Sequence, residues 1–337
     1  VVEGYVARPD GSPATDFCGV VQPTLFDCIE TVSTRDNTGL GKFEYVAYPK
    51  RLFAGSDSVA GGRFKLTIPV PMDISYRGEK GMLNLFAVDT LGTSAQGCYD
   101  NFTVGGTAPS TSNDAKGPQI KMYLNTPEFM DGDEVNSAPC LFVELFDENG
   151  INTVGTGIGH DIMAIVDNDK FHTYNLNSAY VPAVGDYRSG TIEYPLSALG
   201  EGEHTLLLRA WDLFNNSSTD TLTFVVVPNL APDFVDVRVA PNPVQYGQMA
   251  TFVLTHNRPH SELDVTIEIF NLQGQMLWQC SERLTSANTQ CAIVWDVTAS
   301  GGQPMPTGVY IYRARLSSEG SSEQTKAEKI IVLNNKK

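Results

Sequence analysis

The stretch Asp264-Val265-Thr266-Ile267-Glu268-Ile269-Phe270 decides the fold, because polar and apolar side chains alternate along it up to Ile269. Successive side chains of a β-strand point to opposite faces, so this period of two predicts a strand that is buried on one face. The stretch 250–255 repeats the alternation, and further candidate strands lie at 235–240, 275–279, 291–296, 309–316 and 329–333. These stretches predict antiparallel strands packed in a β-sandwich.

The rest of the chain has the composition of strands that are joined by tight turns. It contains 13 Tyr, 16 Phe, 30 Gly and 19 Pro among 337 residues, and aromatic residues favour strands whereas Gly and Pro favour turns. No long segment spaces its apolar residues 3.6 positions apart, so we expect few and short helices. We predict an all-β chain of three tandem immunoglobulin-like β-sandwich domains, the last with seven strands.

Two linker signals set the expected domain boundaries. Residues 105–113 are small and polar over a length greater than a hairpin turn needs. Residues 228–232 begin and end with Pro, which cannot donate a hydrogen bond to a sheet. We therefore predict domains at 1–107, 113–228 and 232–337. The chain begins Val1-Val2-Glu3 without a basic or apolar leader, so we expect an excised or mature fragment.

Charge is distributed unevenly along the chain, whose formal net charge is −16. Residues 1–228 hold 14 Lys and Arg against 29 Asp and Glu, whereas residues 229–337 hold 9 against 10. An acidic surface of this kind argues against nucleic acid or an anionic membrane as a partner. The apolar runs have the length of strands, so we expect no transmembrane segment.

The six cysteines show no metal-binding spacing. Cys18 and Cys28, like Cys280 and Cys291, lie ten or eleven residues apart, which is compatible with a hairpin. Each pair can form a disulfide in an oxidising compartment, and the same residues are equally expected as small buried thiols.

Two groups of polar residues are candidates for chemistry. His160-Asp161 has the composition of a catalytic pair, but the residues around it show no nucleophile motif, so we expect a structural turn. Asp147, Asn149, Asp212 and Asn215 could supply oxygen ligands to Ca²⁺. Asx turns explain the same residues. We therefore expect neither a catalytic residue nor a cofactor in this chain.

Four elements in order give the last third its resemblance to a known module. They are Pro241-Asn242-Pro243, the stretch 265–275, Trp295-Asp296, and 308–313 followed by 329–332. This set resembles the type A sorting domain of type IX secretion, which directs proteins across the outer membrane in Bacteroidetes. The resemblance implies a cell-surface location that is associated with the outer membrane.

The middle segment of the chain shows a more specific resemblance, to one family of proteins. The stretches 147–152, 157–161 and 210–216 are similar to the region that follows the peptidase domain in the PorU family of type IX sortases. These sortases are gingipain-like cysteine peptidases. The family implies that the intact parent cleaves cargo sorting domains and attaches cargo to anionic lipopolysaccharide. The catalytic His–Cys dyad of the family belongs to an upstream α/β domain, so this fragment is expected to be non-catalytic.

The resemblance also implies partners. A sorting-type domain in such a sortase docks on a PorV-like outer-membrane barrel protein, and cargo sorting domains are further candidate partners. We expect docking through an exposed edge formed by the last strand, Lys329, Ile330, Ile331, Val332 and Leu333; a paired inner strand is the alternative. A rival function is a cell-surface adhesin or carbohydrate-binding cargo protein that type IX secretion exports.

Overall fold

The computed structural model describes residues 1–337 except 38, 40, 108–113, 156–158, 246, 287–288, 319 and 335–337. Its described residues form 28 strands and two short 3-10 turns, Lys170–His172 and Asn177–Ala179, and they include no α-helix. The prediction of an all-β sandwich fold is confirmed. No described helix has the length and hydropathy needed to cross a membrane.

The first eleven strands lie between residues 2 and 104. They are β1 Val2–Tyr5, β2 Gly19–Phe26, β3 Glu30–Ser33, β4 Glu44–Ala47, β5 Arg51–Ala54, β6 Asp57–Val59, β7 Arg63–Leu66, β8 Glu79–Lys80, β9 Met82–Asp89, β10 Ser94–Tyr99 and β11 Thr103–Val104. The main sheet has the order β10-β9-β2-β5, with β6 also paired to β2. The pairs β1-β7, β3-β4 and β8-β11 form separate ribbons.

The next nine strands lie between residues 119 and 226. They are β12 Gln119–Leu124, β13 Glu134–Val135, β14 Cys140–Phe146, β15 Met163–Val166, β16 Thr173–Asn175, β17 Tyr180–Ala183, β18 Asp186–Pro195, β19 Gly202–Trp211 and β20 Ser217–Val226. They form two sheets, with the orders β12-β14-β18-β17 and β13-β20-β19-β15-β16.

The last eight strands lie between residues 234 and 333. They are β21 Phe234–Ala240, β22 Val244–Gln245, β23 Ala250–His256, β24 Glu262–Phe270, β25 Met276–Thr285, β26 Gln290–Trp295, β27 Gly308–Ser318 and β28 Gln324–Leu333. Sheets β21-β23-β26 and β22-β28-β27-β24-β25 enclose one core that contains Trp295, Tyr312 and Phe252. The strand that was not predicted is β22, whose two residues are too few to show an alternation.

The chain divides into two compact units. One comprises residues 1–122, 142–194 and 205–222, and the other comprises 123–141, 195–204 and 223–337. The boundaries of the three predicted domains stay a prediction, and residues 108–113 of the first predicted linker lie outside the described residues.

The second predicted linker is held in place by a buried arginine. Arg258 is 2% exposed, and its Nη2 donates to the carbonyl oxygens of Leu230 at 3.2 Å and Ala231 at 2.8 Å. Asp233 N donates to Asn257 Oδ1 at 2.8 Å, and Asn257 N donates to Asp233 O at 3.2 Å. A charged guanidinium forms stronger hydrogen bonds than a neutral donor does. Residues 230–233 are therefore fastened to the turn after β23.

Candidate functional site

Three aspartates from distant parts of the sequence form an acidic cluster: Asp114, Asp147 and Asp212. One carboxylate oxygen of each lies within 4.8 Å of those of the other two. Asp147 follows β14 and Asp212 follows β19, and a bridge between Ile151 and Asp212 brings the two strand ends together. Asp147 is 6% exposed and Asp212 is fully buried. The sequence indicated two of these three residues as candidate Ca²⁺ ligands.

Asx turns orient both buried carboxylates. Asp147 Oδ1 accepts from Asn149 N at 2.8 Å. Asp212 Oδ1 accepts from Phe214 N at 2.9 Å and Asn216 N at 2.7 Å, and its Oδ2 accepts from Asn216 Nδ2 at 2.8 Å. The Asx turns expected from the sequence are therefore present.

The other two predicted ligands differ in position. Asn149 lies beside the cluster, where its Nδ2 donates to Asp114 Oδ2. Asn215 instead donates to Asp73 Oδ1 at 3.0 Å. Sequence reasoning missed Asp114, because it precedes Asp147 by more than thirty residues and belongs to no motif.

Burial and mutual repulsion disfavour ionisation of the cluster. Burial, together with the charges of Asp212 and Asp114, raises the pKa of Asp147 to about 6. Burial and the charge of Asp114 raise the pKa of Asp212. Five of the six carboxylate oxygens already accept hydrogen bonds from N–H groups, whereas Ca²⁺ requires six to eight oxygen ligands. The geometry therefore fits proton uptake better than a calcium shell.

The described contacts of His160 and Asp161 are made with different partners. The His160 ring stacks on Trp211 with 4.1 Å between ring centroids, and its Nδ1 lies 3.2 Å from Asp73 Oδ2. Asp161 Oδ1 accepts from Asn177 Nδ2 at 2.8 Å. Asp73 thus contacts both His160 and Asn215. These contacts fit the structural role that was expected for His160.

All six cysteines are free thiols in the structure. The prediction of a Cys18–Cys28 hairpin disulfide is wrong, because the eight-residue strand β2 runs between the two residues and spans about 26 Å at 3.3 Å per residue. Cys28 is buried, with its Sγ 3.4 Å from Val104 O. Cys280 and Cys291 both pack against the core of the last eight strands, so a Cys280–Cys291 disulfide stays a prediction.

The expectation of a free edge at Lys329–Leu333 is wrong. Strand β28 pairs with β27 on one side, and on the other side Val332 and Leu333 pair in parallel with β22. The side chain of Asn242 completes the cover, because its Oδ1 accepts from Ile331 N at 3.0 Å and its Nδ2 donates to Lys329 O at 3.0 Å. Ile330 and Val332 point into the core, whereas Lys329 and Ile331 point outward.

The fold defines the class of protein as a chain of immunoglobulin-like β-sandwiches. Over 99% of its length the chain is similar to the crystal structure of dimeric latent PorU from Porphyromonas gingivalis, with 34% identity and a TM-score of 0.42. The match covers 31% of the PorU chain. Identity at this level over nearly the whole chain supports a PorU-like relationship.

Two other solved structures match at lower identity. A tetra-tandem repeat from the extending region of a large adhesion protein is 14% identical, with 98% of this chain and 69% of that chain covered and a TM-score of 0.28. SGBP-B of Bacteroides ovatus, in complex with a mixed-linkage heptasaccharide, is 12% identical, with 95% and 61% covered and a TM-score of 0.29. No family model matches the chain, and no curated protein matches it.

Proposed function

We propose that this chain is the non-catalytic C-terminal region of a type IX secretion sortase at the cell surface. The observation that carries the proposal is the 34% identity with PorU over 99% of the chain. Cleavage of cargo sorting domains and attachment of cargo to lipopolysaccharide then belong to the parent protein, of which this region is a part.

We further propose that residues 232–337 dock the parent on a PorV-like outer-membrane barrel protein. The outward face of the five-stranded sheet, rather than a strand edge, is the surface that supports this role. Ile331 lies opposite Val309, Lys329 lies opposite Ile311, and Ile311 lies opposite Phe270. On the far side, Met276 lies opposite Phe270.

These neighbours form an apolar row across four strands: Ile331, Val309, Ile311, Phe270 and Met276. Val309, Ile331 and Met276 are 41%, 38% and 49% exposed. Charged residues lie next to this row on the same face. Arg313 Nε lies 2.6 Å from Glu268 Oε2, and the Arg313 guanidinium lies 5.0 Å from the centre of the Phe270 ring. An apolar centre with a polar rim is the usual anatomy of a protein interface.

A pull-down in detergent tests the docking role. The whole chain is expected to retain the purified barrel protein, and the double variant Val309→Asp, Ile331→Asp is expected to lose at least about 90% of it. Two unpaired charges buried in the interface cost several kcal/mol, and each loss of about 1.4 kcal/mol weakens binding tenfold. Both positions are exposed, so the variant should fold. Val294→Asp is the matched control, because Val294 is 56% exposed on β26 of the other sheet.

The pull-down distinguishes an error in the proposed surface from an error in the docking role. Full retention by the double variant would remove the apolar row from the proposal, whereas no retention by the wild-type chain would defeat docking itself. The gene upstream of Val1 tests the sortase assignment independently: a gingipain-like peptidase domain is expected there, and an array of adhesive repeats would contradict the assignment.

A further inference from the structure

Part of the outward face of the first main sheet is uncharged, although the chain as a whole is acidic. Three adjacent strands, β2, β9 and β10, point alternate residues away from the core. The outward residues are Val20, Gln22, Thr24, Phe26, Met82, Asn84, Phe86, Val88, Ser94, Gln96 and Cys98. None is charged. By contrast, the outward face of the last five-stranded sheet carries Asp264, Glu268, Arg313 and Arg315.

Strand register places one aromatic ring at the centre of this face. Phe86 lies directly opposite Gln22 on β2 and Gln96 on β10, and it is 45% exposed. In the next row, Asn84 lies opposite Thr24 on one side and Cys98 on the other. The residues around Phe86 enclose a shallow depression of about 500 Å³ that both glutamine amides and the ring line.

The amides on this face have unused hydrogen-bonding capacity. Within the described part of the chain, the side chains of Gln22, Asn84 and Gln96 make no hydrogen bond to another residue. Each amide offers two donors and an acceptor. Three such groups around one ring can therefore bind a ligand that is rich in both donors and acceptors.

We propose that this face, which we call the Phe86 face, binds an uncharged glycan chain. Sugar hydroxyls both donate and accept hydrogen bonds, as the amides require, and the positively polarised C–H groups of a sugar ring are attracted to the negative face of an aromatic ring. An uncharged ligand also matches a surface without ionic groups, because it meets no repulsion from the acidic chain. The three rows that contain Val88, Phe86 and Asn84 extend about 14 Å along the strands, so the face is long enough for more than one sugar ring.

A protein partner fits this face less well. The centre of a protein interface is dry and rich in large apolar side chains, whereas here the cross-strand neighbours of Phe86 are Gln22 and Gln96, and Asn84 lies next to it on β9. Burying those groups under an apolar surface would cost free energy for every hydrogen bond that is not replaced. The inference does not depend on the docking proposal, because it concerns other strands and another ligand.

A binding titration with the whole chain tests the inference. The probes are cellohexaose, maltohexaose, mannohexaose and chitohexaose, each at millimolar concentration. At least one is expected to bind, and Phe86→Ala is expected to weaken that binding by about tenfold or more, since it removes the stacking surface. Phe171→Ala is the matched control, because Phe171 is 80% exposed elsewhere in the same compact unit and should leave affinity unchanged.

A second measurement locates the ligand. Cys98 is an exposed thiol on the Phe86 face, and Cys280 on β25 is a reference thiol far along the sequence. The bound glycan is expected to slow alkylation of Cys98 by N-ethylmaleimide severalfold and to leave Cys280 unchanged. Phe86→Ala should abolish this protection, since it removes the stacking surface.

Three outcomes would overturn the proposal. The first is that no hexasaccharide binds or protects Cys98. The second is that Phe86→Ala binds as well as the wild-type chain does. The third is self-association of the chain that Phe86→Ala removes, which would assign the face to a second copy of the protein.

Discussion

Replacing Trp295 with Ala is expected to lower the free energy of unfolding by about 3 to 5 kcal/mol, the usual cost of removing a fully buried Trp. Trp295 is 1% exposed, and its ring lies 5.8 Å from that of Trp278 and 6.4 Å from that of Phe252. Its Nε1 donates to Thr298 O at 2.8 Å. The variant therefore leaves a cavity and also an unsatisfied carbonyl.

Calorimetry of the whole chain measures this loss. Val294→Ala is the control: Val294 is the neighbour of Trp295 on β26, and it points outward with 56% of its surface exposed. We expect a change within about 0.5 kcal/mol for that surface substitution. An equally small effect at Trp295 would contradict the two-sheet core of the last eight strands.

Alternation made this last part of the fold predictable. Strand β24 was expected at 264–270 and spans Glu262–Phe270, and strand β26 was expected at 291–296 and spans Gln290–Trp295. The period of two records burial on one face, so a sequence that folds into a sandwich carries the signal directly. Strand β25 was expected to end at 279 but extends to Thr285, because it is the edge strand of its sheet and its polar second half pairs only with β24.

Pairing partners were not predictable in the same way. The residues of β28 read as a strand, but the sequence does not show which side of it is free. Its outer side is covered by Val244, Gln245 and Asn242, which lie more than eighty residues earlier. The same limit explains why Asp114 was not predicted as a member of the acidic cluster. Its approach to Asp147 and Asp212 depends on tertiary structure. Local residue chemistry predicted the Asx turns, and long-range assembly decided what gathers around them.

The linker at 228–232 illustrates a related limit. Two Pro residues correctly indicated the end of β20, which stops at Val226. Composition alone gave no sign that Arg258, more than twenty residues later, binds the carbonyl oxygens of Leu230 and Ala231. A break in secondary structure is encoded locally, whereas the hydrogen bonds that fix the broken segment are not.

Replacing Asp147 with Asn is expected to stabilise the protein at pH 8 and to leave its stability at pH 4 nearly unchanged. The folded-state pKa of Asp147 is about 6, whereas an unfolded Asp titrates near 3.9. Between these values the folded chain holds a proton that the unfolded chain has released, so the free energy of unfolding falls as pH rises. The loss amounts to at most about 3 kcal/mol and is complete above the folded-state pKa.

The amide that Asp147→Asn introduces keeps the native contact, since its oxygen can accept from Asn149 N as the carboxylate does. Asp212→Asn should behave differently, because both oxygens of Asp212 accept hydrogen bonds and an amide can replace only one of them. Asp220→Asn, at an exposed position on β20, controls for the change in net charge. Thermal unfolding at several pH values, with EDTA or CaCl₂ present, measures all three variants.

The same titration distinguishes the two ways in which buried like charges can be neutralised. Proton uptake predicts a wild-type chain that loses stability from pH 4 to pH 7 and does not respond to CaCl₂ or EDTA. A cation predicts stabilisation by CaCl₂ at pH 8 that Asp147→Asn abolishes, because the ion would lose a charged ligand. A wild-type stability that stays flat across this pH range without added cation, together with no gain from Asp147→Asn, would show that Asp114, Asp147 and Asp212 do not repel one another as their separation implies.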